Sequence, residues 1–345
     1  MNILVTGAAG FIGHGVIEEL LERGHVITGI DCINSYYDPN LKYGRLQDLG
    51  IDKAKINGSE SGTSIINSRK YENFRFVKGS IIDHDLMEKL FENGKYEKVI
   101  NLAAQAGVRY SFENPYSYIQ NNIVGYFNVL DLCRKFGIRH FIYASSSSIY
   151  GNCNNVPFKE SERTDNPESI YAATKKSDEL MARVYSSQLG LPTTGLRYFT
   201  VYGPWGRPDM APFHFMKSVL EGRTIKVFNN GNLSRDFSYI ADIVNATCKI
   251  TEDDRFSQSA YSDKALCKVY NIGNSSPVKL MDFIGTIEKI AGRTAIKEFV
   301  GMQQGDVYRT YADTSEIEKD YGIKPSTSLE KGLKDFYKWY RDFYK

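Results

Sequence analysis

The chain has 345 residues, 42% hydrophobic and 24% charged, with 43 Lys and Arg against 41 Asp and Glu. That length supports one large or two small domains with a substantial core, and a net charge of +2 excludes the basic footprint of a nucleic-acid surface. The five cysteines (Cys32, Cys133, Cys153, Cys248 and Cys267) show no Cys-x-x-Cys spacing and the five histidines are dispersed, so no disulfide framework and no metal site are expected, and a reducing, cytoplasmic setting fits.

The opening NILV runs into TGAAGFIG and then HGVIEELLERG, where Val16, Ile17, Leu20 and Leu21 recur at helical spacing. This predicts strand, glycine turn, helix. Gly7, Gly10 and Gly13 let the backbone approach a pyrophosphate whose charge rests on the helix N-terminus; a turn serving only close packing is the alternative. The second strand, HVITGI, ends in Asp31, at the offset where a carboxylate receives the ribose hydroxyls of a dinucleotide. Asp31 repels a 2′-phosphate and Cys32 beside it brings no cation, so the expected cofactor is NAD. No basic leader and no long apolar window is seen, and neither an export signal nor a membrane span is expected.

From Gly50 to Asn73 the chain is polar and rich in glycine and serine, with NGSESGTSIINS inside it, and reads as an exposed, mobile excursion. FRFV, KVINLA, HFIYAS and PTTGLR then alternate with helical or loop segments, the pattern of a parallel sheet. The expected fold class is α/β: a Rossmann-like doubly wound parallel sheet with a smaller C-terminal substrate-binding α/β region. Residues 1–198, with returning segments around 236–272, are expected to hold the dinucleotide, and 199–345 mainly the substrate. Beyond Arg197 prolines cluster at Pro204, Pro208 and Pro212, and the chain closes on an amphipathic helix, LEKGLKDFYKWYRDFY. Ligands of such a fold bind in the crevice at the carboxyl ends of the strands.

At that edge lies the serine block SSSSIYG, and twenty residues after its end comes YAATK. Tyr171 and Lys175 are four apart and share a helix face. A phenol keeps its proton at neutral pH unless a cation stabilises the phenolate, and Lys175 is placed to supply that cation, which turns Tyr171 into a general base acting on a hydroxyl. A solvated helix face carrying both residues is the bland alternative. The glycine turn and Asp31 favour redox chemistry on a carbinol.

With these motifs in place the chain resembles the extended short-chain dehydrogenase/reductases, nucleotide-sugar epimerases in particular, over nearly its whole length. NSYYDPNLK, NLAAQAGVRYSFENP, YASSSSIYG, SIYAATKKSDELMA, LRYFTVYGPWGRPDMA, RDFSYIADIV and GDVYRTYADTS are similar to strings of UDP-glucuronate 4-epimerases. The resemblance implies that Tyr171 takes the proton of the sugar 4-hydroxyl while hydride passes to NAD, that Ser146 hydrogen-bonds this hydroxyl and relays the proton, and that the 4-keto sugar turns over before hydride returns. It also implies that Phe11, Ile12, Leu102, Ala103, Ala104 and Tyr198 line the NAD site beside the glycines, Asp31, Tyr171 and Lys175. On the substrate side it implies Thr200, Arg207 as reader of the sugar carboxylate, Arg235 as diphosphate clamp, and Asp306 with Gln303 toward the uridine end. Ser147 and Ser148 are either substrate contacts or small packing residues, and Ser145 is better read as packing. Arg207 as a surface arginine between prolines, and Arg109 as a substrate contact or a loop tether, stay open.

The serine block carries no carboxylate, whereas dehydratases and UDP-glucuronate decarboxylases of this group place acidic residues there. The expected reaction is therefore 4-epimerisation of UDP-glucuronate to UDP-galacturonate; the alternatives are a UDP-N-acetylglucosamine or UDP-glucose 4-epimerase, or else a UDP-glucuronate decarboxylase. A pure dinucleotide sensor is disfavoured by the intact Tyr171–Lys175 pair. Ser80 stands where relatives carry an Asp for adenine, with Asp83 more distant, and Asn101 replaces a histidine. The helices expected from Pro115 to Phe136 and from Glu168 to Leu189 carry Tyr118, Ile123, Phe127, Leu180 and Val184 on more than one face. The resemblance implies a homodimer through this helix pair, with no nucleic acid and no membrane as partner.

Overall fold

A computed structural model describes residues 1–58, 64–153, 155–255, 267–303 and 305–344. Strand β1 (Asn2–Thr6) passes through the glycine turn into helix α1 (Phe11–Glu22) and returns as β2 (Val26–Asp31), parallel to β1. The apolar stripe of α1 (Val16, Ile17, Leu20 and Leu21) is buried against the sheet, as helical spacing of apolar residues requires.

Asp38 caps α2 (Pro39–Asp48) by accepting from Asn40 N. After α3 (Lys53–Gly58) a short β3 (Ile65–Asn67) pairs antiparallel with β4 (Phe74–Lys78) and forms the sheet edge. The expected exposed excursion is therefore corrected. Leu49, Ile51, Ile56 and Ile66 are buried in the same core as α1, so a few well-spaced apolar anchors override the polar composition around them; residues 59–63 lie outside the described residues.

Helix α4 (His84–Gly94) leads to β5 (Lys98–Asn101), and a run of α5 (Tyr110–Glu113), α6 (Pro115–Tyr118), a π-helical segment (Ile119–Gly125) and α7 (Tyr126–Lys135) leads to β6 (His140–Ser146). The long α8 (Ile170–Leu189) follows, then β7 (Thr193–Tyr198). Phe127, Leu180 and Val184 are exposed on these helices, whereas Tyr118 is buried, its hydroxyl donating to the Gly107 and Ala106 carbonyls.

Beyond Tyr198 the chain builds β8 (Thr200–Tyr202), α9 (Ala211–Glu221), β9 (Thr224–Val227) and β10 (Ser234–Tyr239), then returns to the first layer with α10 (Ile240–Glu252) and β11 (Cys267–Ile272). It closes with β12 (Pro277–Lys279), α11 (Leu280–Ala291), β13 (Ile296–Phe299), α12 (Ser315–Tyr321) and α13 (Leu329–Phe343). The main sheet has eight strands in the order β11-β7-β6-β5-β1-β2-β4-β3, beside a three-stranded sheet β12-β10-β8 and a two-stranded sheet β13-β9. All main-sheet pairs are parallel except β3 with β4.

A separate aromatic core, including Phe213, Phe237, Phe283, Leu333 and Phe336, sits under the C-terminal elements. Strand order reverses between β1 and β5, and a doubly wound sheet opens its ligand crevice at such a reversal. Among the described residues no helix is long and apolar enough to cross a membrane.

Candidate active site

The glycine turn is dictated by close approach. Gly7 has φ of 71°, and a Cβ there would lie 2.8 Å from Ala103 N, while one at Gly13 would collide with the Gly7 carbonyl. The end of β1 can thus press directly on the backbone after β5. Gly10 is the N-cap of α1 and offers no side chain to the first N–H groups, which leaves those of Phe11 and Ile12 for a ligand anion. Both oxygens of Asp31 are fixed by backbone donors, Oδ2 by Ala9 N at 3.1 Å and Oδ1 by Ile33 N at 2.8 Å. Gly7, Gly10, Phe11, Ile12, Gly13, Asp31, Leu102, Ala103 and Ala104 all line one cleft of about 380 Å³. A glycine cradle, an uncapped helix start and an acidic residue at the end of the second strand fit NAD.

Ser80 lies in the same wall, its Oγ accepting from Ile82 N at 3.2 Å. Asp83 does not substitute for it, because its carboxylate caps α4 by accepting from Leu86 N. Asn101 is buried and accepts from Thr6 Oγ1.

Tyr171 stands in the first turn of α8, whose N-terminus Ser169 caps through Ala172 N. One turn on, Lys175 is only 2% exposed, and its ammonium donates to the Ala144 carbonyl of β6 at 2.9 Å and to Asp178 Oδ2 at 3.0 Å. Burial pushes the Asp178 carboxyl up to about 7 against the opposing pull of Lys175. Ser146, ending β6, accepts from Ser148 N and Ser148 Oγ, so its own proton remains available to a ligand oxygen. Ser146, Ser147, Ser148, Tyr171 and Lys175 all line the cleft. Ser145 commits its hydroxyl to Glu179 Oε1 at 2.6 Å, and Glu179 is paired with Arg197. Asn122 ties this helix to the loop after β5 by bonding Gln105 and Thr174.

Thr200, Arg207, Arg235 and Asp306 line the substrate side of the same cleft. Arg207 makes a two-point pair with Asp209, and Tyr36 donates to the same carboxylate at 3.1 Å. Burial raises the Asp209 carboxyl, but the guanidinium more than offsets it and holds it below the usual carboxylate range. The Tyr36 phenol is pushed up by burial and by the Asp209 charge. Arg207 is thus an organised wall residue and not a free surface arginine. Arg235 donates to Asp306 Oδ1 at 2.6 Å, and Arg109, over the Phe228 ring, lies 3.9 Å from the other Asp306 oxygen. Two cations thus converge on one carboxylate at the substrate side of the cleft.

Two expected residues sit differently. Gln303 does not line the cleft and contributes only its backbone carbonyl, to Asp306 N at 3.2 Å. Tyr198 reaches the wall at the end of β7, but its hydroxyl is engaged by Thr247 of α10.

Sequence reasoning missed Tyr36, Lys42, Arg45, Asp178 and Asp209. Lys42 is buried in the cleft wall near Asp31, donating to Asn34 Oδ1 at 2.7 Å. Arg45, with no exposed surface, reaches the Ala9 carbonyl, the Trp205 carbonyl and the Tyr37 hydroxyl. The available signal was two cations three residues apart on the buried face of a short helix, where a solvated pair is the ordinary expectation.

The NAD dependent epimerase/dehydratase family matches residues 3–273. The chain is similar to Protein CapI of Staphylococcus aureus, with 45% identity over 353 residues covering 100% of each. It is likewise similar to a probable UDP-glucuronate 4-epimerase of Rhizobium meliloti, 42% identical over 100% of this chain and 98% of the relative. A solved structure, UDP-glucuronic acid 4-epimerase from Bacillus cereus in complex with UDP-glucuronic acid and NAD, matches with a TM-score of 0.86 and 32% identity over 100% of both chains.

Proposed function

The chain belongs to the NAD dependent epimerase/dehydratase family, and from that premise we propose that it interconverts UDP-glucuronate and UDP-galacturonate by 4-epimerisation through a 4-keto sugar. The observation that carries the reading is a single cleft holding the glycine cradle, the Tyr171–Lys175–Ser146 group and the cations Arg207 and Arg235.

Tyr171 takes the proton of the sugar 4-hydroxyl as its phenolate, which the fixed ammonium of Lys175 stabilises. Ser146 hydrogen-bonds the same oxygen and relays the proton back when the hydroxyl is restored. NAD, bound there, would supply the acceptor and then the donor of the C4 hydride, with no net change of the cofactor. Gly7, Gly10, Phe11, Ile12 and Gly13 hold its pyrophosphate, Asp31 its ribose, and Leu102, Ala103, Ala104 and Tyr198 the remaining wall.

Arg235 and Arg109 clamp the substrate diphosphate, Asp306 turns toward the uridine end, and Arg207 reads the sugar carboxylate through paired donors, a geometry that a guanidinium provides and an ammonium does not. Thr200, Ser147 and Ser148 take the sugar oxygens. With the diphosphate held and the sugar free to turn about it, either face of C4 can meet the hydride. SSSSIYG holds no carboxylate, so the keto sugar finds no acid or base there to drive loss of water or carbon dioxide.

We also propose that residues 1–198, with 236–272, serve the cofactor and the rest mainly the substrate, and that the chain works as a cytoplasmic homodimer. Tyr116, Phe127, Leu180 and Val184 support the dimer, each at least 44% exposed on neighbouring helices.

The test is to incubate the purified protein with UDP-glucuronate, adding no NAD, and to follow the anomeric protons by NMR. UDP-galacturonate is the expected product. UDP-xylose, or an equal kcat/KM on UDP-glucose or UDP-N-acetylglucosamine, overturns the assignment.

A further inference from the structure

We propose that Asp178 is the positioning counter-ion of Lys175 and sets the pH range over which Tyr171 and Lys175 work. The inference rests on the reading of Tyr171 and Lys175 as the proton-transfer pair, and it concerns a residue with no part of its own in contacting substrate or cofactor.

Asp178 lies three residues beyond Lys175 on the same face of α8 and has no exposed surface. Its Oδ2 receives the ammonium at 3.0 Å, and among the described residues the other bond of that ammonium is to the Ala144 carbonyl. A buried ammonium held by one neutral carbonyl is costly, and a carboxylate in contact offsets that cost while fixing the direction of the N–H bonds. The adjacent acid cannot take this part, because Glu179 is engaged by Arg197 through both oxygens and by Ser145. One helix thus presents two neighbouring carboxylates, each matched to its own cation.

The two differ in one respect. Glu179 is fully satisfied, whereas Asp178 Oδ1 is buried with no hydrogen-bond partner. The Asp178 carboxylate is thus compensated by Lys175 and by little else. The groups packed around it bring no opposing charge. Tyr126 of α7 donates to the Asp178 backbone carbonyl, Tyr143 faces it from β6, and Cys133 of α7 and Cys267 of β11 lie beyond; burial keeps all four in their neutral, protonated forms. The charges that bear on Asp178 are then Lys175, in direct contact, and Glu179, compensated by Arg197. This arrangement agrees with a carboxyl that burial has moved to the neutral range.

The consequence has a fixed sign. A negative charge in contact with an ammonium favours its charged form, and removal of that charge lets the proton go more easily. The kcat/KM profile of the epimerase reports a base on its acid limb and an acid on its alkaline limb; Asp178 is ionised above about 7, so removal of its charge moves the alkaline limb toward lower pH.

The experiment compares the wild-type holoenzyme with Asp178→Asn on UDP-glucuronate across pH, with Asp178→Glu as the charge-conserving control. Expected is an alkaline limb displaced by about one pH unit to the acid side in the Asn variant and unmoved in the Glu variant. An alkaline limb that stays in place while kcat falls evenly at every pH reduces Asp178 to packing and overturns the inference. If the Asn variant does not fold, Lys175→Met with Asp178→Leu decides: a double variant that folds and melts near the wild type supports the buried pair, and one that is no better than the single variant sinks it. A wild type that fails to turn over UDP-glucuronate refutes the proposed substrate instead, and the melting comparison still reads the pair.

Discussion

The guanidinium of Arg207 and the carboxylate of Asp209 meet at two points, Nε on Oδ1 at 3.1 Å and Nη2 on Oδ2 at 2.5 Å, and Arg207 lines the cleft. Tyr36 approaches the same carboxylate from a segment 173 residues away. Asp209 therefore fixes the Nε and Nη2 edge of the guanidinium, which in the proposed reading leaves the Nη1 side to the sugar carboxylate.

Selectivity follows from this pair. Arg207→Ala removes a charge-assisted contact with the substrate, worth about 3 kcal/mol, so kcat/KM for UDP-glucuronate should fall about a hundredfold. UDP-glucose, which lacks the anion, should lose no more than a few-fold. Steady-state rates on both nucleotide sugars check this, and parallel losses on the two would remove Arg207 from the role of carboxylate reader.

Tyr171→Phe deletes the group that moves the proton and leaves the ring packed edge-on against Tyr118, whose centroid lies 6.1 Å away. The expected loss in kcat is about a thousandfold, within the range of a positioned acid–base group. NAD recovered from the denatured protein should stay stoichiometric. A variant that turns over at the parental rate contradicts the proposed chemistry.

How far this site was legible depends on how local each contact is. The glycine turn, Asp31 and the Tyr171–Lys175 spacing each belong to one element or its immediate edge, and periodicity alone brings them to the carboxyl ends of the strands. The contacts of Tyr36 with Asp209 and of Arg235 with Asp306 join segments 173 and 71 positions apart, and no spacing rule reports that. Arg45 reaches Ala9, 36 positions before it, and Trp205, 160 positions after it, so its burial could not be read from α2 itself. The stretch after Gly50 was misread for a different reason: Ile51, Ile56 and Ile66 are too far apart to form a periodic run, yet each fills the core.

Gly7→Ala tests the cofactor cradle. The position has φ of 71° and its added Cβ would lie 2.8 Å from both Ala103 N and the Leu102 carbonyl carbon. The backbone must shift or the turn must open, at a cost of about 1 to 2 kcal/mol from the dihedral alone. Purified Gly7→Ala protein should carry well under one NAD per chain, and added NAD should restore only part of the activity. Full occupancy with parental rates would show that the turn tolerates a side chain.

Acid sensitivity of the fold should trace to His140. This residue opens β6, is 1% exposed, and shares a 2.8 Å hydrogen bond between Nε2 and Thr194 Oγ1. Burial, reinforced by the charge of Lys98, lowers its pKa from 6.5 to about 3. The unfolded chain then binds a proton that the folded one refuses, so the stability is whole above about 6.5 and is lost as pH falls toward 3, by about 1.4 kcal/mol per pH unit. Asp178 acts in the opposite sense, because its folded value of about 7 lies above its ordinary 3.8 and favours the folded state as pH falls. The wild-type curve mixes the two, whereas the difference between wild type and His140→Gln cancels Asp178 and isolates the histidine. Urea unfolding at several pH values between 7 and 5 should show that difference shrinking by about 1.4 kcal/mol per unit once below the histidine's unfolded value; a gap that stays constant over this window would mean that His140 takes up its proton inside the folded protein.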